Sequence, residues 1–381
     1  MKLNSLLPKA RTGTHFQTGN WAVAEGALAA GLTNYYGYPI TPSTEIAEFL
    51  ARRLPDVGGS FWQMEDEIAS ITACIGSSWA GGRTMTATSG PGFSLMMEGL
   101  GLATMTDTPL VLVNSMRVGP STGMPTSPGQ GDFMQSRFGS HGDFLVPVLT
   151  PSTIQECFDL TLQAFNISEI ARTPVILLLD QVLSSLHESV TIPTEKELTQ
   201  IVCDRKMARG KLPEDLVPPM RSFGSGAHVF GTGLTHNENG MPDLTESAHQ
   251  ALIQRIFRKL EAANDWLPFP ELILCEDADT IVVAYGSQAR PAHEAILRAR
   301  EQEIAAGLMR LRTCWPFPQK ILKQLSKQAK KIIVPELSMG QLIWPVERFA
   351  DRNSSIVHLP KIGGNVVPAT EILLALGGSV A

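Results

Sequence analysis

The sequence predicts an α/β protein: a doubly wound parallel sheet, then a smaller α/β block toward the C-terminus. Three observations predict it. The runs TPLVLVNSM (108–116) and PVILLLD (174–180) are apolar almost throughout, as strands buried on both faces are. Segments of helical spacing alternate with such runs, the order that a parallel sheet covered by helices requires. No repeat of 20–50 residues stands out, so a solenoid is excluded.

The elements follow in chain order. GNWAVAEGALAAGL carries small and apolar residues at helical spacing, with Asn20 as its expected N-cap. TNYYGYPITPST reads as a short strand and a Pro-rich loop. PSTEIAEFLARRL opens a helix with Ser43 or Thr44 as cap and Glu45 in the first turn. FWQMEDEIASITACIGSSWAGG is a short strand entering a helix of small residues. RTMTATSGPG is strand then turn, and FSLMMEGLGLATMTD the next helix. TPLVLVNSM and PVILLLD complete the first block. Beyond it the chain turns charged and irregular, then Gly-rich (SFGSGAHVFGTGLTHNENGMP), with strand fragments expected. ESAHQALIQRIFRKLEAAND is amphipathic, with Leu252, Ile256, Leu260 and, off-phase by one, Phe257 on one face. The last block alternates again: strand TIVVAYGS, helix ARPAHEAILRARE, strand AAGLMRLRT, a helix starting after Pro318, strand KKIIVPE, a helix starting or breaking near Pro345, and strand SSIVHLP. The expected organisation is an N-terminal extension at 1–17, a first domain at 18–190, a linker and extension with the amphipathic helix at 191–276, and a second domain at 277–381.

Composition narrows the classes. The chain has 381 residues, 43% hydrophobic and 18% charged, so it can bury ordinary cores. The formal charge of −6 argues against a broad nucleic-acid surface. No segment reaches the 18 apolar residues of a membrane helix, and the apolar stretch in MKLNSLLPKARTGTHFQ is too short for a signal-peptide core. Five cysteines are scattered with no C-x-x-C pair, which speaks against a self-contained Fe–S cluster or Cys-type zinc site. An odd, unclustered count fits a reducing compartment, and the expected location is cytoplasmic. H-E-x-x-H, G-x-S-x-G, G-x-x-x-x-G-K-[ST] and G-x-G-x-x-G are all missing.

Four segments carry candidate chemistry. In YPITPST, two prolines stiffen a loop with Thr41 extended at its apex, at a strand's carboxyl end, where open α/β sheets bind ligands; a stiff strand-to-helix turn is the bland alternative. In EDEIASITACIG, helical arithmetic puts Glu67 on one face with Ile71, Cys74 and Ile75. Acids at a helix start commonly just complement its dipole. A carboxylate in an apolar setting instead has a raised pKa and can share a proton with a ligand nitrogen. In TATSGPG, the glycines permit close approach, making Ser89 and Gly90 candidate ligand contacts. SMRVGPSTGMPTSPGQGD is a long loop of turn residues, and such loops are usually functional. Arg117 stands at its start, near the hydroxyls of Ser121, Thr122 and Thr126. A guanidinium there suits a carboxylate, against the bland reading of a surface ion pair. His141, just past the loop, reads as structural.

The strings GYPITPSTEIAE, QMEDEIASITACIGSSWAGGRTMTATSGPGFSLMMEG, DTPLVLVNSMRVGPSTGMPT and QGD, in that order, resemble the α subunit of 2-oxoacid:ferredoxin oxidoreductases, and among these the 2-oxoglutarate type. FGTGLTHNENG, VAYGSQAR, GLMRLRTCWPFP and VPELSMGQL resemble the same subunit, so the resemblance runs from about residue 19 to the C-terminus. It implies that the first block is the pyrimidine-binding domain of a thiamine diphosphate (TPP) enzyme, and the last a transketolase C-terminal-like domain. Members of the family decarboxylate a 2-oxoacid on TPP, pass electrons through [4Fe–4S] clusters to ferredoxin, and release an acyl-CoA. By the resemblance, Glu67 is the glutamate that hydrogen-bonds the aminopyrimidine and favours its imino tautomer. Thr41 is the substrate-side threonine of the YPITP loop, Arg117 holds the 2-oxoacid carboxylate, and Thr126 lies nearby in the 2-oxoglutarate type. The family's G-D-G…N stretch for diphosphate and Mg²⁺ is missing here, as are the cluster ligands. The expected partners are therefore a β subunit carrying the diphosphate/Mg²⁺ site and a cluster, a γ and a δ chain, ferredoxin and CoA. A branched-chain or other 2-oxoacid enzyme, a transketolase-like enzyme without ferredoxin, and a non-catalytic scaffold stand as alternatives.

Overall fold

The computed structural model describes residues 10–380. Its strands are β1 Gly13–Thr18, β2 Asn34–Gly37, β3 Ser60–Gln63, β4 Thr84–Thr88, β5 Leu110–Met116, β6 Val148–Leu149, β7 Pro174–Asp180, β8 His187–Ile192, β9 Glu271–Ile273, β10 Thr280–Tyr285, β11 Ala306–Leu311, β12 Thr313–Trp315, β13 Lys331–Glu336 and β14 Ser355–Pro360. The first sheet runs β12-β6-β7-β5-β4-β2-β3 and the second β14-β13-β10-β11-β9. Within the first, only β12 is antiparallel to its neighbour; within the second, only β9 is. β1 and β8 form an antiparallel ribbon of their own.

Alternation of side chains explains why the central strands read as unbroken apolar runs. Val111, Val113, Val175, Leu177 and Leu179 face one core, shared with the wholly buried helix Gly19–Ala29 and the helix Ile154–Ala171. Leu110, Leu112, Ile176 and Leu178 face the other. That second core does not stop at the first sheet. It takes in Ile281, Val283, Met309 and Ile332 of the second sheet, so the two sheets are joined through one continuous apolar interior. β12 makes the same join through the backbone: three buried residues of the C-terminal block close the first sheet.

Several details differ from expectation, each for a local reason. Thr18, not Asn20, caps the first helix, its hydroxyl accepting from Trp21 N at 3.2 Å. Asn20 lies inside the helix, buried, and donates to Pro42 O at 2.8 Å. Ser43 occupies the next N-cap but donates back to Ile40 O at 2.9 Å, tightening the loop rather than the helix. The FSLMMEG helix is two, Pro91–Leu95 and Met97–Met105. The Gly-rich stretch forms no named strand among the described residues, only an isolated bridge between His236 and Pro242. Its glycines and exposed side chains bury too little to hold a ladder. Pro345 falls in the first turn of the helix Ile343–Phe349, where its missing N–H costs nothing.

The amphipathic helix Glu246–Ala262 buries Leu252, Ile256 and Leu260, with Phe257 half-buried. A buried ion cluster, which periodicity did not suggest, fastens it. Lys259 Nζ reaches Asp107 Oδ1 at 2.5 Å and Arg172 O at 2.9 Å, and Arg255 reaches Asp107 Oδ2 at 2.7 Å. Burial alone would raise the Asp107 pKa, but Lys259 and then Arg255 hold it well below the ordinary carboxylate range. Removing Lys259 leaves Asp107 with Arg255 but takes away a charged hydrogen bond. Lys259→Met is therefore expected to cost about 1.5–3 kcal/mol in denaturant unfolding near neutral pH. The sign of the pH dependence follows from the lowered pKa. The contribution of Asp107 is complete above its unfolded-state pKa and is lost as pH falls through the folded-state value. Variant and parent should therefore converge in acid.

Candidate active site

The ends of β2, β4 and β5 lie side by side at the carboxyl edge of the first sheet, because these strands are parallel neighbours in register. Glu67 is the first residue of the helix Glu67–Trp79, and the Asp66 side chain caps that helix by accepting from Ala69 N at 2.8 Å. The two acids thus divide as helical geometry requires. Asp66 serves the backbone, while Glu67 turns inward and is buried with Ile71, Cys74 and Ile75.

Glu67 Oε1 accepts from Thr88 Oγ1 at 3.2 Å, and Thr88 is the last residue of β4. Burial raises the Glu67 pKa, against the opposing hydrogen bond from Thr88 and the nearby charge of Arg117. Gly92 seals this contact. A Cβ there would stand 2.1 Å from Glu67 Oε1 and 2.2 Å from Thr88 Oγ1. Thr88 is short and both side chains are buried, so Gly92→Ala is expected to push the longer Glu67 out of its seat. With Glu67 in the role that the resemblance implies, activity should fall at least tenfold, as when a reacting group is misplaced. Kinetics of the assembled complex, with a melting curve to show that the variant folds, would test this.

Arg117 follows directly on β5 and is also buried. One of its Nη atoms donates to Thr41 O at 2.7 Å, pinning the apex of the Pro-rich loop, while Nε has no partner within the chain. Gly90, at φ +45°, lets the guanidinium lie close: a Cβ there would be 3.4 Å from Arg117 Nε. The Ser89 hydroxyl is likewise buried without a partner in the chain. Asp132 lies within electrostatic reach of Arg117, and Asn114 donates to it at 2.9 Å. Desolvation lowers the Arg117 pKa, and the carboxylates of Asp132 and Glu67 work against that.

The structure therefore brings Glu67, Ser89, Gly90, Arg117 and the Thr41 carbonyl to one edge. Ser121, Thr122 and Thr126 lie exposed on the long loop, outside this buried set, as does His141 beyond it. Thr88 and Gly92 were not singled out by sequence reasoning. Their signal was present in TATSGPG, where a strand-terminal threonine and a second glycine flank the close-approach turn. Asn20 and Asp132 carried no comparable signal. Among the described residues no group of three or more His, Cys, Asp or Glu is disposed to hold a metal, and all five cysteines are free and buried. The described helices include none long and apolar enough to cross a membrane.

A buried carboxyl and a buried guanidinium thus lie within electrostatic reach of each other at the carboxyl edge of a doubly wound sheet, the edge at which such sheets take ligands. At the level of fold alone, a split-gene transketolase shares the architecture, with a TM-score of 0.52, 13% identity, and 94% and 95% of the two chains covered. The particular family follows from sequence. Residues 25–254 match the thiamine-diphosphate-binding family of pyruvate flavodoxin/ferredoxin oxidoreductases, and residues 278–372 match core domain II of pyruvate:ferredoxin oxidoreductase. The chain belongs to this family of oxidoreductases. It is 45% identical to 2-oxoglutarate synthase subunit KorA of Methanocaldococcus jannaschii, over 95% of this chain and 99% of the relative. It is 33% identical to ketoisovalerate oxidoreductase subunit VorB of Methanothermobacter thermautotrophicus, over 94% and 96%. The solved 2-oxoglutarate:ferredoxin oxidoreductase from Magnetococcus marinus, with 2-oxoglutarate, coenzyme A and succinyl-CoA bound, superposes with a TM-score of 0.89 at 33% identity. That match covers 96% of this chain and 65% of the other, so this chain spans about two-thirds of its solved relative's length.

Proposed function

We propose that this chain is the α subunit of a 2-oxoglutarate:ferredoxin oxidoreductase, which converts 2-oxoglutarate and CoA to succinyl-CoA and CO₂ and passes the electrons to ferredoxin. The observation that carries the reading is the buried Glu67 beside Arg117, in a chain similar over nearly all its length to subunits named 2-oxoglutarate synthase. When bound, thiamine diphosphate supplies the carbanion-stabilising chemistry of decarboxylation. The chain's own residues do the rest of what this half-site does. Glu67 holds a proton that it shares with a ring nitrogen of the pyrimidine, and its raised pKa suits that hydrogen bond. The fit is supported by the Ser89 hydroxyl and the Arg117 Nε, both buried without a partner in the chain. Arg117 pairs with the 2-oxoacid carboxylate through the edge that Thr41 O does not take. Thr41 and Thr126 border the substrate from the two flanking loops.

The diphosphate and Mg²⁺ site and the [4Fe–4S] clusters belong to partner subunits in this reading, with a β subunit completing the site and γ and δ chains assembling around it. Segments leaving the carboxyl edge expose Tyr38, Ile68, Leu95 and Phe138, and the edge strand β3 exposes Trp62, apolar surface suited to a protein partner. In this reading the complex is cytoplasmic, in keeping with five free, buried cysteines. The test is CoA-dependent viologen reduction by the native complex, with 2-oxoglutarate, pyruvate and 2-oxoisovalerate side by side. Turnover led by 2-oxoglutarate is expected. A different leading acid would move the pocket assignment, and no turnover from a complex holding TPP and iron would favour the scaffold.

A further inference from the structure

The C-terminal domain contributes no side chain to the buried set around Glu67, yet it grips the loop that Arg117 begins. Gln130 sits near the far end of that loop and is fully buried. Its side-chain amide donates to Tyr285 O at 3.1 Å and accepts from Leu337 N at 3.1 Å. Its backbone N–H donates to Leu337 O at 2.9 Å, and its carbonyl accepts from Tyr285 Oη at 3.3 Å. Tyr285 ends β10 and Leu337 follows β13, so all four polar groups of one glutamine reach the carboxyl edge of the second sheet, and the amide also bonds the Asp180 carboxylate at the end of β7. Gln341 adds a second grip: its Nε2 donates to Gly131 O, and its Oε1 accepts from Met134 N at 2.8 Å.

Gln341 is itself held in place. Glu336 is buried at the end of β13 and accepts from the backbone N–H groups of Gln341 at 2.8 Å, Leu342 at 2.9 Å and Ile343 at 3.1 Å. Ser338 and His358 also bond this carboxylate. From the gripped limb the path to Arg117 is short. A Cβ on Gly129 would stand 2.9 Å from Arg117 O, and Val118 N donates to Ser127 O at 3.1 Å. Asp132, on the same limb, supplies charge to Arg117. A third contact comes from Gly364, at φ +83°, where a Cβ would stand 2.7 Å from Ser127 Cβ.

We infer that Gln130 and Gln341 are positioning residues of the substrate-carboxylate subsite: through them the C-terminal domain sets the return limb of the 117–132 loop, and with it the placement of Arg117. The kinetic half of this inference rests on the function proposed above; the conformational half does not. Both halves are tested on the assembled complex with Gln341→Ala, whose side chain is only half-buried, and Gln130→Ala. The readouts are KM and kcat for 2-oxoglutarate, backbone hydrogen exchange over residues 118–128, and the melting temperature. The expected result is a KM raised about three- to tenfold, as for one or two lost hydrogen bonds, with kcat held within about twofold. Exchange over 118–128 should be faster in both variants. Unaltered exchange over that loop in a folded Gln341→Ala variant overturns the inference, as does a loss of activity that tracks only the folded fraction. Should the parent complex prove to use another 2-oxoacid or none, the assignment of function fails, and the exchange measurement still decides whether the clamp exists.

Discussion

Replacing Glu67 by Gln is expected to remove most turnover while making the chain more stable above the acid range. The loss in kcat should be about 10²–10⁴-fold, the usual weight of one positioned acid–base group. An amide retains the shape and a hydrogen bond with Thr88 but cannot exchange a proton with a ring nitrogen. The gain in stability follows from the sign of the shift. Burial raises the Glu67 pKa in the folded chain. Between its unfolded and folded values the folded state binds more protons than the unfolded state, so stability falls as pH rises through that window. The amide has no such penalty. Melting curves of E67Q and parent should therefore coincide below the ordinary carboxylate range and separate above it, with the variant the more stable. A variant that keeps parental turnover would remove Glu67 from the chemistry. A variant that melts below the parent at neutral pH would mean that the carboxyl is retained for folding.

The second large effect is at Arg117. Arg117→Ala is expected to lower kcat/KM by about 2–3 kcal/mol, chiefly through KM, as for a lost charge-assisted pair. The structure makes this residue harder to replace than a simple charge. Its guanidinium also holds Thr41 O, so an alanine frees the apex of the Pro-rich loop at the same time. Lysine has the charge but not the planar fork, and Arg117→Lys should recover little. The pH profile adds an independent readout. The positive charge of Arg117 lowers the Glu67 pKa, so its removal should move the limb governed by Glu67 to higher pH. Unchanged KM together with an unmoved limb would exclude Arg117 from the site.

Glu67 shows how far a single sequence reaches. Helical arithmetic alone separated it from Glu65 and Asp66 and set it beside Ile71, Cys74 and Ile75, and those are the neighbours it is buried with. Arg117 was legible by a different route, as a cation at the end of an apolar strand, because parallel sheets carry their ligands at that edge. What these residues touch was not legible. Nothing in YPITPST says that the Thr41 carbonyl, rather than its hydroxyl, meets Arg117. Nothing in GNWAVAEG says that Asn20 leaves its capping role to Thr18 and reaches the same loop 22 residues on. Side-chain partners between segments distant in sequence depend on how the segments are set against each other, which no local pattern records.

By itself the sequence determined the periodic quantities: which runs are strands, which are helices, which face of each is apolar, and which strand ends carry polar chemistry. These follow from bond geometry and burial within a dozen residues. Only the tertiary structure decided what depends on distant parts of the chain meeting. It set three residues of the C-terminal block, β12, at the margin of the first sheet, and it merged the cores of the two sheets. It buried Lys259 against Asp107, and it brought every polar group of Gln130 to the second sheet. None of these contacts has a local periodic signature. The free energy that holds them comes from apolar burial, ion pairing and hydrogen bonds made across more than a hundred residues of separation, terms that exist only once the chain has folded.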